Sequence, residues 1–502
     1  MKKLFATILV STFALTPGAS FAAESTLEVS GWVPYWRTAQ GTKNASEHIS
    51  KFTELNPFGY SVKSDGSLND LSKLDSQNWK DLIDKAQDEN VRVVPTIMWS
   101  DTNAIHATLS DAAKRKDHVE QIVREIDRRS LDGIDIDYEG KKAETRVFYS
   151  AFLKELSTEL KKGNSPKWLQ CTIEARMPLS ARYSGTPPAN IEYANDLPSI
   201  NRYCDRVRIM TYDQQTADIE LNRAHQKELY APIADAAWVR KVVNYMAQDI
   251  SKDKIMIGIA TYGYIWQAMP KADGSGYTYI KTESFNPQYG VDTAKEHGIT
   301  PTRGKSGEIG FTYVPKETTS LLPSQSQLSK YAPRGTASAL LAALGSLAYA
   351  KEEHRQAPIT YLTWSDGEAI QQKIDLAQKL KIKGVSIFKI DGGMDPNLWD
   401  VLPKEAPKLT KAPAVASDTP TTAAPANTSY AFNTNLVYGT TNTDVKRLQT
   451  ILVTQGHLKL TEPTLFFGPM TLAAVRSWQA ANSIQTTGNF GPLSRAKMAT
   501  FR

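Results

Sequence analysis

The sequence predicts an α/β chain whose larger part is a (β/α)8 TIM barrel. Three observations carry that expectation. Runs of strand-forming residues alternate with amphipathic helical stretches from about residue 27 to residue 403. One run, Leu131–Gly140, interleaves carboxylates with apolar residues. The chain of 502 residues is too long for one ordinary domain, whereas a barrel absorbs about 250 residues and more with insertions.

The elements follow in order. Val29–Tyr35 reads as the first strand. Pro57–Val62 reads as the second, ending in the turn Ser64-Asp65-Gly66-Ser67, and Val91–Met98 as the third. A helix with Val119, Ile122, Val123 and Ile126 on one face precedes Leu131–Gly140, the fourth strand. Phe148, Phe152, Leu156 and Leu160 mark the helix after it. Gln170–Ala175 and Arg206–Tyr212 are the fifth and sixth strands. Val239, Val242, Val243 and Met246 share a helix face before the seventh strand, Ile255–Ala260. Ile370, Ile374, Ala377 and Leu380 lie on a helix before the eighth, Gly384–Ile390. The interval between strands seven and eight is too long for one helix. Its Gly- and Tyr-rich pieces predict a small α+β insertion over about 264–345 that walls the cleft.

Both ends differ from the barrel. Lys2 and Lys3, the apolar run Leu4–Leu15 and the small residues around Ala22 read as a signal peptide over 1–22, an uncleaved anchor being the weaker alternative. Residues 23–406 then form the barrel domain. Residues 407–430, rich in Pro, Ala and Thr, read as an extended linker. Residues 431–502 read as a small all-α binding domain. One amphipathic helix there carries Val445, Leu448, Ile451 and Leu452, and another Ala474, Val475 and Trp478. Phe467-Gly468-Pro469-Met470-Thr471 recurs as Phe490-Gly491-Pro492-Leu493-Ser494, two helix starts with Pro at the first helical position.

Hydrophobic content of 41% and charged content of 22% describe a soluble globular protein with ample core. The net charge of +6 is spread along the chain, which suits an anionic polymer but lacks the basic stripe of a nucleic-acid binder. Cys171 and Cys204 sit near the starts of neighbouring strands, so a disulfide and two buried thiols both remain open.

The chemistry concentrates on the fourth strand. With period two, Gly133, Asp135, Asp137 and Glu139 share one face, and Asp132, Ile134, Ile136 and Tyr138 the other. Carboxylates crowded on a buried face repel and lose water, a cost more often accepted for catalysis than for structure. Reactive groups of barrels lie at the C-terminal strand ends, so Glu139 projects furthest into the cleft. Asp137 lies about 7 Å deeper and Asp135 deeper again. A crowded Asp135–Asp137 pair would share a proton, and Glu139 beside a negative neighbour would act as general acid. Tyr212, on the face of Met210, could hold a carbonyl oxygen, and Arg176 a polar substituent. Tyr35, Trp36, Tyr60, Trp99, Tyr262 and Trp266 are candidates for stacking on sugars, with ordinary packing equally open for each. A calcium loop is set aside because Arg146 stands where the bidentate Glu belongs. The seven His residues show no metal-ligand spacing, and there is no phosphate loop or serine elbow.

Asp132-Gly133-Ile134-Asp135-Ile136-Asp137-Tyr138-Glu139 resembles the signature Asp-Gly-x-Asp-x-Asp-x-Glu of glycoside hydrolase family 18, the chitinase-like (β/α)8 enzymes. Met210, Tyr212 and Asp213 are similar to that family's sixth-strand motif, and the resemblance extends over Leu27–Pro403. Where many members end strand eight with Trp, this chain has Phe388, which bears on stacking under the −1 sugar and not on the reaction class. The early strands, with Asp65-Gly66-Ser67, resemble bacterial cell-wall and spore-cortex glucosaminidases. The tail, through Asp444-Val445, Leu448-Gln449, Gly468, Thr471, Ala474-Val475 and Trp478-Gln479, resembles a peptidoglycan-binding module.

The resemblance implies substrate-assisted retaining hydrolysis without metal or cofactor. In it Glu139 is the acid, Asp137 the partner of the acetamido N–H, Tyr212 the partner of its oxygen, and Asp135 the support beneath. Met210, Asp213, Arg176, Tyr35, Trp99, Tyr262 and Phe388 would bind substrate. A peptidoglycan hydrolase ranks first, a secreted chitinase second and a non-catalytic glycan-binding protein last. The expected partner is a polysaccharide and not nucleic acid. A monomer is expected, secreted to the cell wall or periplasm, without stable membrane insertion after signal cleavage.

Overall fold

The computed structural model describes residues 27–314 and 359–408 apart from 164, 189, 190 and 272, then 412, 413 and most of 432–498. The expected signal peptide, and all of the linker but residues 407, 408, 412 and 413, lie outside the described residues. The chain divides into two units, Met1–Ala416 and Ser417–Arg502.

In the first unit β1 (Glu28–Pro34), β2 (Glu54–Val62), β4 (Arg92–Val93) with β5 (Thr96–Trp99), β6 (Gly133–Tyr138), β7 (Trp168–Glu174), β8 (Arg206–Met210), β9 (Ile255–Ala260) and β15 (Gly384–Phe388) pair in parallel. The ring closes because β1 pairs with both β15 and β2. The expected third strand is two pieces, since Pro95 has no N–H for the ladder. The expected Ser64–Ser67 turn joins β2 to β3 (Leu68–Asp70), with Gly66 at φ +84° and the Asp65 carboxylate capping Ser67 N at 2.9 Å.

Strand parity sorts the side chains. Ile134, Ile136 and Tyr138 point outward to the helices. Tyr138 stacks on Phe152 (5.6 Å) and its hydroxyl meets His118 Nε2 at 2.5 Å. Helix Ala112–Arg128 buries His118, Val119, Ile122 and Ile126 against them, and helix Arg146–Leu160 buries Phe152, Leu156 and Leu160.

The barrel interior, by contrast, is ionic at its base. Glu28 pairs with Arg206 (2.6 Å) and Arg92 (3.5 Å), and Glu54 with Arg92 (2.9 Å) and Gln170 Nε2 (2.8 Å). One layer up, Arg208 spans Glu54 and Asp135, reaching Asp135 Oδ2 at 2.9 Å. Ions this deep repay their lost hydration only when every partner is present.

Between β9 and β15 lies an antiparallel sheet. It contains β10 (Gly263–Pro270), β11 (Tyr277–Phe285), β12 (Thr302–Arg303), β13 (Ile309–Tyr313) and β14 (Ile359–Trp364), in the order β11-β10-β14-β13-β12, with helix Pro287–Glu296 in the chain between β11 and β12. The inserted sheet extends beyond the expected 264–345, because its central strand β14 comes after that end. Cys171 and Cys204 are disulfide-bonded, with 5.9 Å between their Cα atoms, which settles the open alternative.

The second unit has its own core of Leu436, Val445, Leu448, Leu452, Phe467, Val475, Trp478 and Phe490. Its sequence repeat is a structural one. Gln449 Nε2 donates to Phe466 O (2.8 Å) and Thr471 Oγ1 (2.7 Å), and Gln479 Nε2 donates to Asn489 O (2.8 Å) and Ser494 Oγ (3.0 Å). Each Gln locks one copy of the Phe-Gly-Pro helix start.

Arg208→Met leaves the buried Asp135 without its cation and takes from Glu54 one of its two, Arg92 remaining. The variant should lose about 3 kcal/mol in urea denaturation at neutral pH. The loss should shrink as pH falls, because protonation relieves the carboxylate left without its cation.

Candidate active site

The site is built on β6. Gly133 begins it because a Cβ there would lie 2.1 Å from Trp168 O on β7, so only glycine lets the strands close. The three inward carboxylates above it differ in what surrounds them.

Asp135 is completely buried and fully held. It accepts from Thr96 Oγ1 (2.7 Å) and Thr172 Oγ1 (2.9 Å), takes a longer contact from Trp32 Nε1 (3.4 Å), and pairs with Arg208. Asp137 is buried as well, but its Oδ1 has no partner among the described residues. Burial first, then the charges of Glu139 and Asp135, push its carboxyl well above the usual range. Glu139 stands at the exposed rim, its backbone N–H donating to Trp99 O at 2.8 Å. The protein around it raises its pKa, and the carboxylates of Glu174 and Asp213 add to the rise against the opposing charge of Lys141.

Tyr212 follows β8. Its ring lies over Gly258, where a Cβ would come within 2.6 Å of Cε1. Burial and then the charge of Asp137 hold its phenol far above the normal range, so it is a neutral donor beside that carboxyl. Phe388 stacks on Tyr212 (5.7 Å) and meets Phe58 (5.3 Å), Trp32 (5.8 Å) and Tyr262 (6.3 Å) edge-on. Trp36 joins through Phe58 (6.0 Å) and Tyr35 through Trp36 (4.9 Å). Tyr35 and Trp36 are 38% and 47% exposed, open enough to receive a sugar face. Asp213, at φ +59°, accepts the hydroxyls of Tyr262 (2.6 Å) and Tyr264. Met210 is the last inward residue of β8, in register with Glu174.

Three candidates lie elsewhere. Trp99 pairs with Tyr138 in register, so it faces outward and packs on Tyr138 (5.3 Å) and His118 (5.5 Å); Met98, opposite Asp137, is the inward residue. Tyr60 follows a register shift in β2, which turns it outward to Glu125 Oε1 at 2.6 Å. β7 ends at Glu174, so Arg176 leaves the strand's alternation. It sits over the Tyr193 ring (3.7 Å) and donates to Asn195 O (3.0 Å).

Thr96, Thr172, Arg208, Glu174, Lys141 and Tyr264 were not anticipated. Parity would have found the first four, since each lies an even number of residues from an inward position on its own strand. A cavity of about 450 Å³ between the loop after β8 and the β10–β11 hairpin is lined by His225, Tyr230, Lys271 and Tyr279 among others, and none of the β6 carboxylates lines it.

The model of "Glycosyl hydrolases family 18" matches residues 30–393, and that of "Putative peptidoglycan binding domain" matches 441–498. The chain is 23% identical over 297 residues to the uncharacterized glycosylase YvbX of Bacillus subtilis, covering 59% of this chain and 67% of that protein. Among solved structures, it is similar to the spore cortex-lytic enzyme SleL of Bacillus cereus, with TM-score 0.54 and 17% identity over 77% of this chain and 76% of that one. A chitinase of Chromobacterium violaceum gives TM-score 0.53 and 16% identity over 75% and 98%. At such identities the structural likenesses speak for the fold.

Asp137 binds its proton more tightly folded than unfolded. The stability this contributes is full below about pH 4 and is lost as pH rises through the raised value. Asp137→Asn should therefore be more stable than the parent at neutral pH, on the order of 1 kcal/mol. The gain should vanish in acid, as thermal melts at several pH values would show.

Proposed function

The chain belongs to glycosyl hydrolase family 18 and is a glycosidase, and on that premise we propose that it cleaves the β-1,4 bond next to N-acetylglucosamine in bacterial peptidoglycan. The observation that carries the choice of polymer is the second unit. It matches a peptidoglycan-binding family and has a separate core. It also exposes Tyr438 and Phe466, rings 6.4 Å apart, on its surface. Large exposed rings suit the faces of sugars. Residues 1–22 would export the enzyme to the wall, where that unit holds it on its substrate.

The proposed chemistry divides among the residues of β6 and the loop after β8. Glu139 donates its proton to the departing glycosidic oxygen as the C1–O bond breaks. The substrate's own 2-acetamido oxygen attacks C1 from the other side, giving a cyclic oxazolinium ion with retention after the second step. Asp137, whose Oδ1 has no partner among the described residues, hydrogen-bonds the acetamido N–H and balances the charge that develops. Tyr212 donates to the acetamido oxygen and fixes its line of attack. Water then attacks C1 as the oxazolinium C1–O bond breaks and the acetamide is restored, and Glu139 takes the proton from that water. Asp135, held by Arg208 and two threonines, keeps Asp137 in place from below.

Chitin offers the same sugar at the −1 position, so the polymer is the point to test. Purified peptidoglycan and chitin are digested separately, and the new reducing ends are identified by mass spectrometry. Peptidoglycan fragments ending in N-acetylglucosamine are expected, and cleavage of chitin alone would overturn the choice. Glu139→Gln should lose activity by about 10²–10⁴-fold. Tyr438→Ala with Phe466→Ala should weaken binding to sacculi while leaving hydrolysis of short soluble oligosaccharides unchanged.

A further inference from the structure

Glu174 is a fourth carboxylate at the mouth of the barrel, and the reaction above does not use it. It closes β7 on the inward face, above Gln170, which bonds Glu54, and Thr172, which bonds Asp135. Both of its oxygens are held. Oε1 accepts the N–H of Gly140 (3.3 Å), the residue directly after Glu139, and Oε2 accepts Asn195 Nδ2 (2.6 Å). Neither donor carries a charge, so these contacts fix the carboxylate without neutralising it.

Gly140, at φ +62°, turns the chain there. Lys141 follows and folds back, its Nζ donating to Tyr138 O and lying 4.6 Å from the centre of the Tyr149 ring. The Glu139 carboxyl lies within electrostatic reach of both, of Glu174 on the neighbouring strand and of Lys141 on its own loop.

We propose that Glu174 is a positioning residue for the catalytic acid: it pins the backbone beyond Glu139 and, against the opposing charge of Lys141, sets the electrostatic field in which Glu139 holds and releases its proton. The inference rests on the reading of Glu139 as the acid. The groups that face Glu139 are Asp137 and Lys141 from β6 and its loop, Glu174 from β7, and Tyr212 and Asp213 from the loop after β8. Tyr212 is neutral through the working range. Among the others, Glu174 contributes the largest rise from a neighbouring charge, and Lys141 opposes it. A general acid works only while protonated, so the alkaline limb of the rate profile reports on this balance.

The test is the pH dependence of kcat/KM for the full chain on a soluble N-acetylglucosamine oligomer, for the parent and for Glu174→Gln, Glu174→Asp and Lys141→Met. Glu174→Gln should move the alkaline limb to lower pH by about one unit. Lys141→Met should move it to higher pH. Glu174→Asp, which keeps the charge, should leave the limb in place. An equal loss of rate at every pH with an unmoved limb in Glu174→Gln would overturn the inference and leave a structural role. Movement of the limb in the same direction by Glu174→Gln and Lys141→Met would also overturn it. Parent-level activity in Glu139→Gln on the same oligomer would instead remove the acid itself, so the two failures are distinguishable. Lys141→Met keeps the inference open to refutation should Glu174→Gln fail to fold.

Discussion

The guanidinium of Arg208 stands between Glu54 at the base of the barrel and Asp135 on β6, and the site above depends on it. A carboxylate at that depth cannot keep its charge without a partner. Arg208, Thr96 and Thr172 supply partners to Asp135 and fix it in one orientation. Asp137, one inward step higher, has no such set. It meets the field of Asp135 below and of Glu139 above, and Oδ1 finds no donor among the described residues. The contrast between a satisfied aspartate and an unsatisfied one next to it is what makes the strand useful. In the proposed reaction the lower group is scaffold, and the upper one receives a donor from the substrate.

Around that strand the walls divide the remaining work. Phe388 is the hub of an aromatic cluster that touches Trp32, Phe58, Tyr212 and Tyr262. A phenylalanine offers less area for a sugar than an indole, but here it is locked by four rings. In the proposed −1 site its stacking would come from a surface that does not have to be ordered on binding. The antiparallel sheet between β9 and β15 enters this cluster through Tyr262, just before β10, and Tyr264 within it. Their hydroxyls hold Asp213 beside the acid. Sheet and barrel are thereby tied at the residues that also set the charge near Glu139.

Much of this was legible in the sequence, and the rest was hidden for identifiable reasons. The alternation of Asp135, Asp137 and Glu139 with Ile134, Ile136 and Tyr138 fixed their two faces, because period two leaves no other arrangement in a half-charged strand. Trp99 was misplaced because a large ring near a strand end suggests a cleft, whereas its register with Tyr138 turns it outward. Tyr60 was hidden by the irregularity in β2, which no count of residues reveals. Arg208 was missed although its parity was available, since a buried cation is recognised only once the anions of other strands are placed around it. The extent of the inserted sheet was not legible either, because β14 reaches its partners β10 and β13 from far along the chain.

The proposed nucleophile is the substrate's own acetamido group, oriented by Asp137 and Tyr212. The stereochemistry of the first-formed product tests it most directly. Proton NMR recorded during the first minutes of hydrolysis of an N-acetylglucosamine oligomer should show the new reducing end as the β anomer. The α signal should grow only by later mutarotation, and an oligomer lacking the 2-acetamido group at the cleaved sugar should not react. An α anomer formed first, or cleavage of the deacetylated oligomer at the parent rate, would contradict the account.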